Sequence, residues 1–125
     1  MTPLRTLALL LAVVGAGPLG CKGDCAGVGA PAVDVTVVDA ETGTSIAAGA
    51  TLYLFRTGQA VRADSVTGGP RSMTLLAGWD DEGQFDVVVE RPGYFPWTAN
   101  GVRVDGDCTT ETAFLTARLR PRPST

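Results

Sequence analysis

The chain reads as an all-β domain, and three features lead there. Apolar residues alternate with polar ones, turn chemistry recurs about every ten residues, and no segment past the N-terminus has a helical period. Alternation is plainest in Gln84–Glu90, where Phe85, Val87 and Val89 share one face, and in Ala32–Asp39, where Val33, Val35 and Val37 do. Glycine (16 residues) and proline (8) are spread between such runs, which suits many tight turns. The expected architecture is a β-sandwich of seven short strands behind an N-terminal signal segment.

Ala32–Asp39 is the first strand, and Ala40–Thr44 turns the chain with Gly and short polar residues. Ala50–Arg56 (ATLYLFR) is apolar on both sides, so it is expected to be central and covered on both faces. Thr57-Gly58-Gln59 leads into a third strand, Ala60–Val66, and Gly68-Gly69-Pro70 into a fourth, Arg71–Ala77, with Met73 and Leu75 facing inward. Asp80-Asp81-Glu82-Gly83 is a turn in which carboxylates bond nearby backbone and Gly accepts positive φ. The fifth strand, Gln84–Glu90, ends at Arg91-Pro92-Gly93, because proline has no N–H to give a ladder. Tyr94–Val104 is the sixth strand, interrupted at Asn100-Gly101. Thr109–Leu119 is the seventh, with Ala113, Leu115, Ala117 and Leu119 inward. Pro121 and Pro123 stop the ladder, so the domain covers 32–121 and residues 122–125 are a tail.

Residues 1–20 have the form of an export signal: Arg5, an unbroken apolar run from Leu7 to Val14, then small residues leading to Cys21. Leu19-Gly20-Cys21 resembles the lipobox of bacterial lipoproteins, with Pro18 where that family usually has Leu. The resemblance implies cleavage before Cys21, diacylglycerol on its thiol and acylation of its amino group. Several acyl chains would hold the protein firmly, each buried CH₂ adding about 0.8 kcal/mol. Residues 21–31 are rich in Gly and Ala and read as a flexible tether. If Cys21 carries lipid, Cys25 has only Cys108 left as a partner, and in an oxidising envelope the two are expected to pair. That bridge needs the last strand to lie parallel to the first, and the chain-entropy account gives it about 4 kcal/mol. Cleavage by a general signal peptidase, leaving Cys21 an ordinary thiol, is the alternative to the lipid anchor. A redox role is disfavoured because Cys21 and Cys25 are not spaced as CxxC.

The strands also carry a family resemblance. Val35-Thr-Val-Val-Asp-Ala-Glu-Thr-Gly43, Ala48-Gly-Ala-Thr-Leu52, Asp81-Glu-Gly-Gln-Phe85, Arg91-Pro-Gly-Tyr94 and Ala117-Arg-Leu-Arg-Pro121 together resemble the carboxypeptidase regulatory-like domain. The resemblance covers most of residues 33–121. It implies a Greek-key, prealbumin-like (transthyretin-like) sandwich and a non-catalytic accessory role, and it supplies no site residues.

Composition narrows the function. Histidine is absent, which removes the commonest metal ligand and the commonest general base together. Loss of residues 1–20 takes Arg5 from the ten basic residues and leaves 13 acidic ones, net −4, so no nucleic-acid footprint is indicated. Neither Ser65 nor Ser72 sits in a G-x-S-x-G elbow. Asp80, Asp81, Glu82 and Asp86 could form a carboxylate pair for a small hydrolase only by residue type. Asp80–Glu82 and Asp105-Gly106-Asp107 lack the spacing of a calcium loop and flank different strands. No cofactor or metal is expected.

Trp79, Tyr94, Phe95 and Trp97 lie around the two turns of the fifth strand, and Phe114 sits on the polar side of the seventh. Trp79, Tyr94, Trp97 and Phe114 are therefore the candidate binding residues, for a protein partner first and a glycan second. The competing reading is that these rings plug the end of the sandwich, with Tyr94 tying a strand corner. The expected setting is a bacterial envelope, with the chain held to the outer membrane by its N-terminal lipid on an unassigned face.

Overall fold

The computed structural model describes residues 29–106 and 110–124. The signal segment, most of the tether, and Cys21, Cys25 and Cys108 lie outside them. Seven strands follow in chain order: β1 (Val33–Asp39), β2 (Thr51–Arg56), β3 (Arg62–Thr67), β4 (Thr74–Ala77), β5 (Gly83–Glu90), β6 (Trp97–Val104) and β7 (Ala113–Leu119). They form a sandwich of a three-stranded sheet, β4-β1-β7, on a four-stranded sheet, β3-β2-β5-β6. Only β2–β3 and β5–β6 are neighbours both in sequence and in a sheet; the other connections cross between sheets, in the Greek-key manner.

Alternation builds the core. Val33, Val35 and Val37 of β1 meet Leu52, Leu54, Phe85, Val87 and Val89 of the larger sheet, all fully buried, and Leu75, Ala77, Ala117 and Leu119 complete the layer. Each such Val, Leu or Phe contributes about 1.5–3 kcal/mol of transfer free energy, an upper value because denatured chains already bury some surface. β1 runs parallel to β7 in unbroken register, from Val33 opposite Ala113 to Asp39 opposite Leu119, and antiparallel to β4, with Val33 opposite Ala77. The first and last strands therefore start side by side, where Ala113 N–H donates to the Ala32 carbonyl at 2.8 Å.

Several expectations need correction. Met73 lies outside β4 and is 69% exposed, because the strand begins only at Thr74 and the alternation that turns Leu75 and Ala77 inward does not extend back to it. β2 is central in its sheet but covered on one face: Leu52 and Leu54 point in, while Tyr53 and Phe55 are half-buried on the outer face. The Arg62 guanidinium lies 5.3 Å from the Tyr53 ring centre and covers part of that outer surface. β6 begins at Trp97, not Tyr94, because Arg91–Pro96 first forms a turn in which Tyr94 N–H donates to the Arg91 carbonyl. The expected break at Asn100-Gly101 is a bulge within a continuous strand. Gly101 has φ +66°, its N–H donates to Asp86 Oδ1 at 2.9 Å, and the pairing with β5 shifts register there.

Both ends of the described chain are bonded to the sandwich. Ala30 N–H donates to Asp80 Oδ1 at 3.3 Å, Asp80 N–H to the Ala30 carbonyl at 2.8 Å, and the Thr112 hydroxyl to the Pro31 carbonyl at 2.7 Å. Arg120–Arg122 runs beside Gly93–Phe95: Phe95 N–H donates to the Arg120 carbonyl and Arg122 N–H to that of Gly93. Pro121 and Pro123 remove alternate donors only, so the intervening Arg122 N–H stays available for this contact. Where the β1–β2 and β3–β4 connections meet, Gly49 N–H donates to the Gly68 carbonyl and Gly68 N–H to that of Ala50. The backbones come so close there that a Cβ on Gly68 would run into the Ala47 carbonyl oxygen.

Candidate functional site

Strand register divides the candidate residues between two poles of the sandwich. One pole holds the starts of β1 and β7, the end of β4 and the Trp79–Glu82 turn. The other holds Asp39, Glu90–Pro96 and Leu119–Arg122. β5 separates the two turns at its ends by eight residues, about 25 Å at the usual strand rise. Trp79, 53% exposed, is thus at the opposite pole from Tyr94, Phe95 and Trp97.

Trp97 is only half-buried, but it packs against the core, since it pairs with the inward-facing Val89. Phe95 precedes β6 and is 40% exposed at the surface. Phe114, 77% exposed, stands on the outer face of the smaller sheet. It is in register with Asp34, which is flanked on its other side by the partly exposed Leu76.

At the second pole Tyr94 is the organising residue. Its hydroxyl donates to Asp39 Oδ2 at 2.8 Å, while Asp39 Oδ1 accepts from Glu41 N–H at 2.7 Å and Thr42 N–H at 3.0 Å. One carboxylate therefore fixes the turn after β1 and ties it to the β5–β6 loop of the other sheet. The Tyr94 hydroxyl holds the Asp39 carboxyl below the ordinary carboxylate range, with the Thr42 and Glu41 amides adding to the effect. The same bond to an anion, together with desolvation, raises the Tyr94 hydroxyl above its ordinary value. The corner that the sequence suggested for Tyr94 is present, but its acceptor is a side chain rather than backbone.

Arginines gather around this tyrosine. The Arg91 guanidinium lies 5.6 Å from the Tyr94 ring centre, and its Nε donates to the Ala48 carbonyl at 3.0 Å. Arg122 lies 4.8 Å from the Phe95 ring centre, and its Nε donates to the Tyr94 carbonyl at 3.1 Å. Arg120 approaches Phe95 at 6.0 Å. Beside them is a hollow of about 380 Å³ lined by Tyr53, Glu90, Arg91, Pro92, Tyr94 and Arg122, among others. Sequence reading set Phe95 beside Tyr94 but missed Asp39, Arg91 and Arg122 as their neighbours. The available signal was the pair Arg91-Pro92 and Arg120-Pro121-Arg122, two basic turn segments whose proximity only the fold supplies.

The acidic turns have structural partners. Asp80 binds Ala30 N–H, Asp81 pairs with Arg56 at 3.0 Å, and Asp86 accepts from the Thr57 hydroxyl and Gly101 N–H. Gly83 pairs with Val104, which places the turns before β5 and after β6 at the same pole. Even so, among the described residues no group of three or more His, Cys, Asp or Glu side chains stands close enough to hold a metal ion. The proposed attachment residue Cys21 and the proposed pair Cys25 and Cys108 lie outside the described residues. No protein-family model matches the chain, and no curated protein matches it in sequence.

Proposed function

We propose that this is a non-catalytic binding domain that docks a protein partner through the Tyr94 pole, while Cys21 carries the lipid that holds it at a bacterial envelope membrane. The observation that carries the docking role is Phe95, 40% exposed and flanked by the Arg120 and Arg122 guanidiniums beside an open hollow. Exposed aromatics and arginines on a fixed backbone supply much of the energy of protein interfaces, because they bury large areas at low entropic cost. The Asp39–Tyr94 bond and the Arg120–Arg122 segment fix that backbone. Docking in place of catalysis is supported by the lack of histidine and by the commitment of Asp80, Asp81 and Asp86 to structural bonds. The carboxypeptidase regulatory-like resemblance, with its prealbumin-like fold, points to the same accessory role. A glycan platform is the weaker reading, since Trp79 and Phe114 stand apart from the Tyr94 pole and Trp97 packs inward.

Crosslinking in intact native cells tests the docking role, comparing wild type with Phe95→Ala. A dominant partner captured by wild type and lost in the variant is the expected result; equal capture by both refutes the placement. The intact mass of the membrane-extracted protein tests the anchor. The expected chain begins at Cys21 with the added mass of its acyl groups, and loses two further mass units if Cys25 and Cys108 are bridged.

A further inference from the structure

The lining of the hollow at the Tyr94 pole includes two arginines held in an unusual way. Arg91 and Arg122 each spend Nε on a backbone carbonyl, of Ala48 and Tyr94 respectively, and each lies against an aromatic ring. Among the described residues, neither donates a hydrogen bond from its terminal amino groups or enters an ion pair. The Nε bond and the ring fix the plane of each guanidinium, leaving its terminal donors available. This preorganisation lowers the ordering cost of binding an anion. It arises in a chain whose net charge is −3, so the local charge is opposite to that of the whole.

We propose that the hollow is a carboxylate-binding site that takes an Asp or Glu side chain from an acidic segment of the partner. This rests on the docking role given above to the Tyr94 pole. The charge balance favours a carboxylate over a phosphate: Arg91 and Arg122 face one acid, Glu90, in the same lining, which leaves a single positive charge. A planar monoanion matches that charge and the forked donors of arginine, whereas a phosphate dianion would stay under-neutralised. Pro92, Pro96 and the rings of Tyr53 and Tyr94 supply the apolar walls along which a peptide backbone would lie.

The test uses the full chain labelled with ¹⁵N and follows its arginine Nε–H resonances. Three probes are titrated at low salt: blocked pentaglutamate, blocked pentaglutamine and inorganic phosphate. Pentaglutamate should shift Arg91 and Arg122 saturably and pentaglutamine should not. Arg91→Lys and Arg122→Lys should each weaken binding about tenfold, because lysine lacks the fork, while Arg103→Lys, at the opposite pole, should leave it unchanged. The same spectra show whether each variant is folded, and Tyr53→Leu, which keeps both arginines, gives a second reading of the walls through weaker pentaglutamate binding. Non-saturating shifts spread over Arg62, Arg103 and Arg118 would overturn the site, as would saturation by phosphate alone. Pentaglutamate binding without any captured partner in cells would refute the docking role and leave the site standing. Capture that depends on Phe95, with pentaglutamate failing to bind, would refute the site and leave the docking role.

Discussion

Replacing Gly68 with alanine tests the tightest of the described glycine positions. The added Cβ would run into the Ala47 carbonyl oxygen and stand 3.0 Å from Leu75 Cδ2, so the two connections must move apart. That movement strains the Gly49 N–H to Gly68 carbonyl bond (3.0 Å) and the Gly68 N–H to Ala50 carbonyl bond (2.8 Å). Overpacking of this kind costs about 1–3 kcal/mol, and each hydrogen bond lost or bent adds about 0.5–1.5 kcal/mol. With one of the two bonds lost, a total of about 1.5–4.5 kcal/mol is therefore expected. That is a large share of the roughly 5–15 kcal/mol that holds an ordinary domain together. Urea unfolding followed by tryptophan fluorescence should show a lowered midpoint with an unchanged slope, and melting should fall by about 10–25 °C. Gly69→Ala is the internal control: a Cβ there meets nothing within 4 Å, so stability should stay within about 0.5 kcal/mol or rise slightly. Equal midpoints for the two variants would refute the reasoning.

Other outcomes are equally specific. Leu54→Ala empties a fully buried site beneath Gly78 and should cost about 2–5 kcal/mol in the same assay. Phe114→Ser, at a ring 77% exposed, should change stability by less than about 0.5 kcal/mol. Tyr94→Phe should flatten the pH dependence of unfolding at both extremes. The folded Asp39 pKa is depressed, so its contribution is full above the unfolded value near 3.9 and lost as pH falls through the folded one. The folded Tyr94 pKa is raised, so its contribution is full below about 10 and lost as pH rises through the folded value. In the variant the alkaline loss should vanish and the acid slope should shrink to what the Glu41 and Thr42 amides sustain. Midpoints measured from about pH 2.5 to 5 and about pH 9 to 11.5 check both signs.

Period-two alternation was legible because each buried face is a local property of its own strand. Val33-Val35-Val37 and Phe85-Val87-Val89 show in the sequence the pattern that the core uses. ATLYLFR misled because a run of apolar residues does not distinguish a second packed sheet from an outer face shielded by Arg62. The distance between the aromatics is likewise not visible from their spacing in the chain. Trp79 and Trp97 are close in sequence, but an intervening strand carries them to opposite poles. The arginine hollow was illegible because Arg91 and Arg122 meet only after β7 has returned beside β1.

The parallel pairing of β1 with β7 has a mechanical consequence. Residue 30 enters at one pole and Arg122 leaves at the other, so tension between the N-terminal side and a partner docked at the Tyr94 pole as proposed would pull β1 and β7 in opposite directions along their length. The bonds of a seven-residue register then lie across the load and share it, instead of opening one after another as in a peeled hairpin. β4 grips the other edge of β1 in the same orientation to the force. A domain strung this way between a membrane and a moving partner would resist extension far better along that axis than its modest size implies.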